Sequence, residues 1–164
     1  MKRKLDTTLL IIIKNEKILL AMKKRGFGKG LYNGVGGKRQ ENETIYQAMV
    51  RETMEEIGVE PVNAKLVGII DFDLYLKGEN VIEKMHIYLA NDYKGEIIES
   101  EEMKPEWFDL DKIPFDTMFS DDIIWLPEVL KGNKVKGECV FDKDFNMLSQ
   151  TIKPVNDLGE KNDL

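Results

Sequence analysis

GKRQENETIYQAMVRETMEEIGV, running from Gly37 to Val59, is the stretch from which the rest of the chain can be read. Thr44 followed by Gln47 has the spacing of a capping box, which predicts a helix beginning at Ile45. Gly58 stands where a left-handed C-terminal cap belongs, so the helix runs over 45–57, about four turns. On it Glu52, Glu55 and Glu56 fall at i, i+3 and i+4, within about 100° of arc, with small Ala48 one turn above them. Tyr46, Met49, Val50, Thr53 and Ile57 form the opposite, core-facing stripe. Three adjacent anions repel one another unless a cation sits among them, and hard oxygen donors suit Mg²⁺, with Mn²⁺ also possible. A solvated acidic face is the ordinary explanation of such a Glu run. Here Glu43, Arg51 and the flanking glycines accompany it at fixed spacings, and Glu43 with Arg51 reads as an ion pair tying the helix to its preceding loop.

Composition agrees with a small soluble enzyme. At 164 residues and 42% hydrophobic, the chain fits one domain with a full core. The net charge of −6 argues against nucleic-acid polymers and anionic membranes as partners. A single cysteine, Cys139, forms no internal disulfide, and the N-terminus shows neither a signal peptide nor a long apolar span. The reducing cytoplasm and a monomer are the expected setting. His86, in the apolar stretch 85–89, has no second ligand candidate and reads as a packed strand residue.

Strand signals surround the helix. The runs 7–14 and 17–22 predict a hairpin turning at Asn15-Glu16, and further strands are expected over 65–72, 84–90 and 106–110. A second helix is expected over 121–130, capped by Ser120, with Pro127 bending it or confining it to short turns. Residues 135–141 and 146–152 read as a closing hairpin, and 153–164 as a polar tail outside the domain of 1–152. Strands before, between and after two helices predict a mixed β-sheet with a helix on each face, an α/β/α sandwich. Residues 26–37, GFGKGLYNGVGG, hold six glycines, a segment able to bring backbone N–H groups close to phosphates but by itself readable as a flexible loop. It is neither a P-loop nor a dinucleotide motif, since Arg39 follows Gly37-Lys38 and Leu31 stands where a third glycine is needed.

Gly37, Glu43, Arg51, Glu52, Glu55, Glu56 and Gly58 match the box of the Nudix hydrolases at all seven positions, against chance odds on the order of 10⁻⁶. Thr53 is the one internal departure, replacing an aliphatic residue. The resemblance implies the Nudix fold and Mg²⁺-dependent hydrolysis of a nucleoside diphosphate linked to another group. It implies that the Gly36 carbonyl joins Glu52, Glu55 and Glu56 around the metal, and that Gly36, Gly37 and Lys38 border the triphosphate. Met22 to Gly28, Asn33-Gly34, Glu102 to Pro105 and Asp109 to Phe115 further resemble the animal oxidised-purine nucleoside triphosphatases of this family, with similarity from about residue 5 to 152.

That narrower resemblance implies that Thr8, Lys23 and Asn33 border the nucleoside, Phe27 and Phe72 line the base pocket, and Asp121 with Asp122 read the base edge. Glu102 adds a carboxylate to the metal from a facing loop. Read without it, Asp121-Asp122 is an ordinary acidic helix start. Neighbouring carboxylates in a pocket resist double ionisation, however, and a shared proton would let them donate or accept. Phe119 stands where the family carries a stacking Trp, and Val35 and Tyr32 replace larger aromatics. The expected activity is release of pyrophosphate and a monophosphate from oxidised purine triphosphates of the 8-oxo-dGTP type. Glu52 is the first candidate for the general base and Glu56 for the principal metal ligand, and the residues allow the two roles to be exchanged. The alternatives are hydrolysis of a dinucleoside polyphosphate or an ADP-sugar, or an inactive nucleotide-binding module.

Overall fold

The computed structural model describes residues 2–159. β1 (Arg3–Lys14) turns at Asn15 and Glu16, with φ of 53° and 62°, into β2 (Lys17–Lys23), the two-residue hairpin read from the sequence. β3 (Tyr32–Asn33) follows, then α1 (Ile45–Ile57), β4 (Glu60–Val62), β5 (Lys65–Leu76), β6 (Glu79–Ala90), β7 (Asp92–Lys94) and β8 (Met103–Asp109). A 3₁₀ turn at Phe115–Thr117 leads to α2 (Asp122–Leu130), and β9 (Lys134–Phe141), β10 (Met147–Gln150) and β11 (Lys153–Val155) close the chain. The main sheet runs β10-β9-β5-β6-β1-β2-β3, with β8 on β2 and β11 on β9; β1–β6 and β5–β9 are parallel and the rest antiparallel. β4 and β7 form a separate two-stranded ribbon.

Alternation along the strands sorts the core into two layers. Leu9 and Ile11 of β1, Ile70 and Phe72 of β5, and Met85 and Ile87 of β6 pack with Trp125, Leu126 and Val129 of α2. Leu10 and Ile12, facing the other way, pack with Ile45, Met49 and Ile57 of α1. Side chains of this size contribute about 1.5–3 kcal/mol each when fully buried. The result is a mixed sheet with one helix on each face. No helix among the described residues is long and apolar enough to cross a membrane.

α1 begins and ends as its sequence predicts. The Gln47 amide donates to Thr44 Oγ1 at 3.0 Å, the Thr44 amide to Gln47 Oε1 at 2.9 Å, and Gly58 caps the far end at φ 78°. α2 departs from expectation at its start: Ser120 is not the cap. Asp121 holds that position with helical backbone and no side-chain capping bond, because its carboxylate is turned inward to accept from Trp125 Nε1 at 2.8 Å. Pro127 lies inside the helix, which ends three residues later with the Lys131 amide shared between the carbonyls of Pro127 and Glu128, each at 3.2 Å.

The expected tail is partly ordered. Lys153–Val155 pair with residues 134–136 of β9, and Leu158 is buried, so 153–159 complete the edge of the sheet. Residues 160–164 lie outside the described residues.

The feature that makes the site is a split in the sheet. β1 and β2 pair only over Ile12–Lys14 and Lys17–Leu19 and then diverge. The free edge of β1 is taken by the end of the glycine segment: the Leu10 amide donates to Val35 O at 2.7 Å and the Thr8 amide to Gly37 O at 2.9 Å. A Cβ on Gly36 would lie 1.8 Å from the Thr8 carbonyl oxygen, so no other residue fits there. Arg51 fastens the following loop to α1, donating from Nε and Nη2 to the two Glu43 oxygens at 2.9 and 2.8 Å and from Nη2 to the Lys38 carbonyl at 3.0 Å.

The Arg51 bonds lower the Glu43 pKa from 4.5 to about 2. The folded value lies below the unfolded one, so this stabilisation is complete above the unfolded pKa and is lost as pH falls toward the folded one. Arg51→Met is expected to cost about 1–3 kcal/mol at about pH 7, a partly screened version of breaking a buried pair. Urea denaturation should show that cost shrinking by about pH 3, and a cost independent of pH would mean that the pair does not carry it.

Candidate active site

The three helix glutamates share a face but not an environment. Glu55 is exposed. Glu52 is largely covered and accepts from Arg51 Nη1 at 2.8 Å, and the same nitrogen reaches Glu55 at 3.2 Å. Glu56 is only 7% exposed and accepts a 2.9 Å hydrogen bond from the Gly36 amide. Burial, and then the Glu52 charge, push the Glu56 carboxyl up to about 8, with the Gly36 bond opposing them.

Gly36 is oriented by its neighbours. Val35 O and Gly37 O both turn toward β1, and the intervening Gly36 turns its N–H the other way, toward the α1 glutamates. A Cβ on Gly37 would lie 2.4 Å from Glu52 Oε2, so the second glycine also permits close approach of backbone and carboxylate. This set of hard oxygens, with a buried carboxyl whose ionised form a nearby cation would favour, fits a small divalent cation. Among the described residues no three acidic, His or Cys side chains are already gathered at metal-binding distance. Glu52 and Glu55 are held by Arg51 instead, and Glu102 accepts from Arg25 Nε at 3.0 Å, a pairing that lowers its pKa.

On the other face of the sheet lies an acid pair in an aromatic setting. Asp121 and Asp122 are 4% and 1% exposed, and burial raises both pKa values, that of Asp122 much further. Burial of both side by side means that the pair resists losing its last proton. Asp122 Oδ2 has no protein partner. Phe72 stacks on Phe141 at 6.1 Å, Phe141 on Phe145 at 4.5 Å, and Phe145 meets both Phe27 and Phe119 edge-on at 4.9 and 5.7 Å. Phe27 and Phe119 are themselves stacked at 5.9 Å, and a Cβ on Gly28 would lie 2.6 Å from the Phe119 ring.

The structure therefore brings Phe27, Phe72 and Phe119 into one aromatic chain, and gathers Gly36, Gly37, Glu52 and Glu56 on the opposite side. Thr8 shares the α1 face with Leu10, its hydroxyl buried and unpartnered. Asn33 stands opposite Ala21 and turns its Oδ1 to the Gly34 amide at 2.9 Å. Lys38 lies beside Thr7 of β1. Lys23, at the end of β2 where the strands part, lowers the pKa of Glu56 on one face and of a second acid, Glu83, on the other. Phe141, Phe145, Thr7 and Glu83 escaped the sequence reading. Phe145 had a signal only in hindsight, as an aromatic held at φ 61° in the turn Asp142–Asn146. Cys139 is fully buried with its thiol pushed up to about 12, and His86 Nδ1 lies 3.1 Å from the Thr7 carbonyl; both are packing residues.

Comparison with known proteins agrees with this geometry. The chain is 42% identical over 151 residues to the oxidized purine nucleoside triphosphate hydrolase of Danio rerio, covering 92% of this chain and 96% of that one. The mouse (Mus musculus) protein of the same name is 40% identical, covering 91% and 94%. The crystal structure of a MutT protein from Bacillus halodurans superposes with a TM-score of 0.80 at 27% identity, covering 90% of this chain and 97% of that one. The model of the NUDIX domain matches residues 4–129, and the chain belongs to the Nudix family.

Proposed function

We propose that this protein hydrolyses oxidised purine nucleoside triphosphates, of the 8-oxo-dGTP kind, to the monophosphate and pyrophosphate, acting as a monomer in the cytoplasm. The observation that carries the reading is the place of Lys23. It stands at the end of β2, between a carboxylate cluster suited to metal and phosphate and an aromatic, acidic pocket suited to a base, and it acts on an acid of each. The printed names of the animal relatives point to the same substrate class.

Nudix hydrolases need a divalent metal such as Mg²⁺, which when bound neutralises phosphate charge and acidifies the attacking water. In this chain Glu52, Glu56 and the Gly36 carbonyl are the donors that would hold it, joined by Glu55 and Glu102 as Arg51 and Arg25 release them. Lys23 and Lys38 offset phosphate charge, and Glu52, posed by Arg51, takes the proton from water. Thr8 and Asn33 border the nucleoside, and Gly36 and Gly37 let the backbone approach the phosphates. Phe27, Phe72 and Phe119 enclose the base. Asp121 and Asp122, sharing one proton, present one donor and several acceptors to its edge.

Glu56→Gln is expected to abolish turnover while leaving the circular dichroism spectrum unchanged, and EDTA should do the same to the wild type, reversibly with Mg²⁺. Near-normal kcat in Glu56→Gln would remove Glu56 from the site.

The acid pair gives a second expectation. Because both folded pKa values are raised, the pair binds protons more tightly folded than unfolded, and its contribution to stability falls as pH rises above the ordinary carboxylate range. Asp122→Asn keeps the donor and cannot ionise. Its melting temperature relative to wild type should rise with pH, and kcat/KM for 8-oxo-dGTP should fall by about 2 kcal/mol. A difference flat in pH would show that the pair does not share a proton.

Phe119→Ala should weaken all purine triphosphates by about 1–3 kcal/mol, and Phe119→Trp should tighten them, because a ring face stacks on any base. A change confined to one base in kinetics with 8-oxo-dGTP, dGTP and dATP would mean that Phe119 reads identity instead.

A further inference from the structure

Glu83 has no part in the reading above, yet its position in the sheet is well defined. In register it stands opposite Phe72 of β5, and Phe72 in turn stands opposite Cys139 of β9, so Glu83, Phe72 and Cys139 form one row on the α2 face. On the other side of β6 the row continues to Leu5 of β1, with Thr7 two residues further along on the same face. Phe72 and Cys139 pack in one layer with Trp125, whose indole donates to Asp121 at 2.8 Å, so the start of α2 lies over this row, and Asp121 raises the pKa of both Glu83 and Cys139. Glu83 is thus a third carboxylate in the pocket of Asp121 and Asp122, contributed by the sheet rather than the helix.

Two further observations point to a ligand at this place. Asp122 Oδ2, in a residue 1% exposed, has no protein partner. Among the described residues Glu83 has no ion pair, although burial raises its pKa; Thr7, Lys38 and Lys23 only partly oppose that rise, and the Asp121 charge adds to it. Burying an acid beside other acids without a cation is unfavourable for folding. An apolar residue at this position would pack against Phe72 without that cost.

We propose that Glu83 is a specificity-determining residue of the base pocket, where its carboxylate accepts a hydrogen bond from an N–H group of the nucleobase. This rests on the pocket being the base site. A carboxylate attracts a base that presents a donor and repels one that presents a lone pair, a penalty larger than the loss of an apolar contact. The 8-oxopurines carry N–H at N7 where ordinary purines carry a lone pair, and guanine carries an exocyclic amine that hypoxanthine lacks. Glu83 stands beside Phe72 in the sheet, in the layer that packs with Trp125 of α2, and away from the α1 face that carries Glu52 and Glu56.

The test is kinetics of Glu83→Gln, Glu83→Met and Asp122→Asn with 8-oxo-dGTP, dGTP, dITP and GTP, with calorimetric binding of 8-oxo-dGMP and dGMP as a readout independent of turnover. In both Glu83 variants the kcat/KM ratio of 8-oxo-dGTP to dGTP, or of dGTP to dITP, should change at least tenfold, while that of GTP to dGTP stays within twofold. The monophosphate affinities should follow the first ratio where that is the one that changes. Base ratios within twofold in both variants, or a change confined to GTP against dGTP, would overturn the proposal. If Asp122→Asn shifts base preference while the Glu83 variants do not, Glu83 alone is wrongly placed. If none of the three does, the base pocket itself is misassigned. A rise in melting temperature without a change in any ratio would make Glu83 structural only.

Discussion

The hydrogen bond from the Gly36 amide to the buried Glu56 carboxyl is the contact on which the rest of the arrangement depends. It joins the glycine segment to the box helix across the edge of β1, and it requires Gly36 to lie flat against the Thr8 carbonyl. Its consequence is chemical as well as structural. With the amide fixed there, the backbone at Gly36 and Gly37 lies directly against Glu56 and Glu52. Arg51 then holds that geometry from behind through Glu43 and the Lys38 carbonyl. A box residue that never touches substrate can matter as much as one that does.

The divergence of β1 from β2 explains how one small sheet serves two chemistries. A continuous sheet would separate the α1 face from the α2 face completely. Here the short pairing of the hairpin leaves a notch, and Lys23 at its rim acts electrostatically on Glu56 on one side and Glu83 on the other. Each half keeps its own dielectric setting. The carboxylates of α1 range from exposed Glu55 to buried Glu56, whereas both members of the Asp pair are buried and Asp121 is held by the Trp125 indole.

Much of this was legible in the sequence because it is local. The capping box, the i, i+3, i+4 glutamates and the Asn15-Glu16 turn depend on residues within one or two turns of each other, and they stand as expected. The misses were of other kinds. β5 and β6 extend to Leu76 and back from Glu79, beyond the runs read from residue type, because Asp73 follows Phe72 and Lys77-Gly78-Glu79-Asn80 is polar, which masked the hairpin. β11 contains Pro154 and only three residues, so its order comes from the free edge of β9 rather than from its own propensity. Ser120 looked like a cap because sequence cannot show that Asp121 would turn inward to Trp125. Glu83 was invisible for a related reason: in EKMH nothing distinguishes a solvent-facing acid from one whose row on the sheet runs through Phe72.

Those inward acids also bear on how the fold tolerates its site. Glu56, Glu83, Asp121 and Asp122 all have raised pKa values, first of all through burial, so each opposes folding once ionised. They are carried by the most rigid parts of the molecule: a capped helix, the central strands, and a helix start pinned by Trp125. Two apolar layers supply the stability that such positions subtract, and the same rigidity keeps the carboxylates from swinging out to water. Pocket acidity and core packing are therefore one design. Loosening the packing of Trp125 and Phe72 would let water reach the acids of the α2 layer, and their raised proton affinity would fall toward that of ordinary carboxylates.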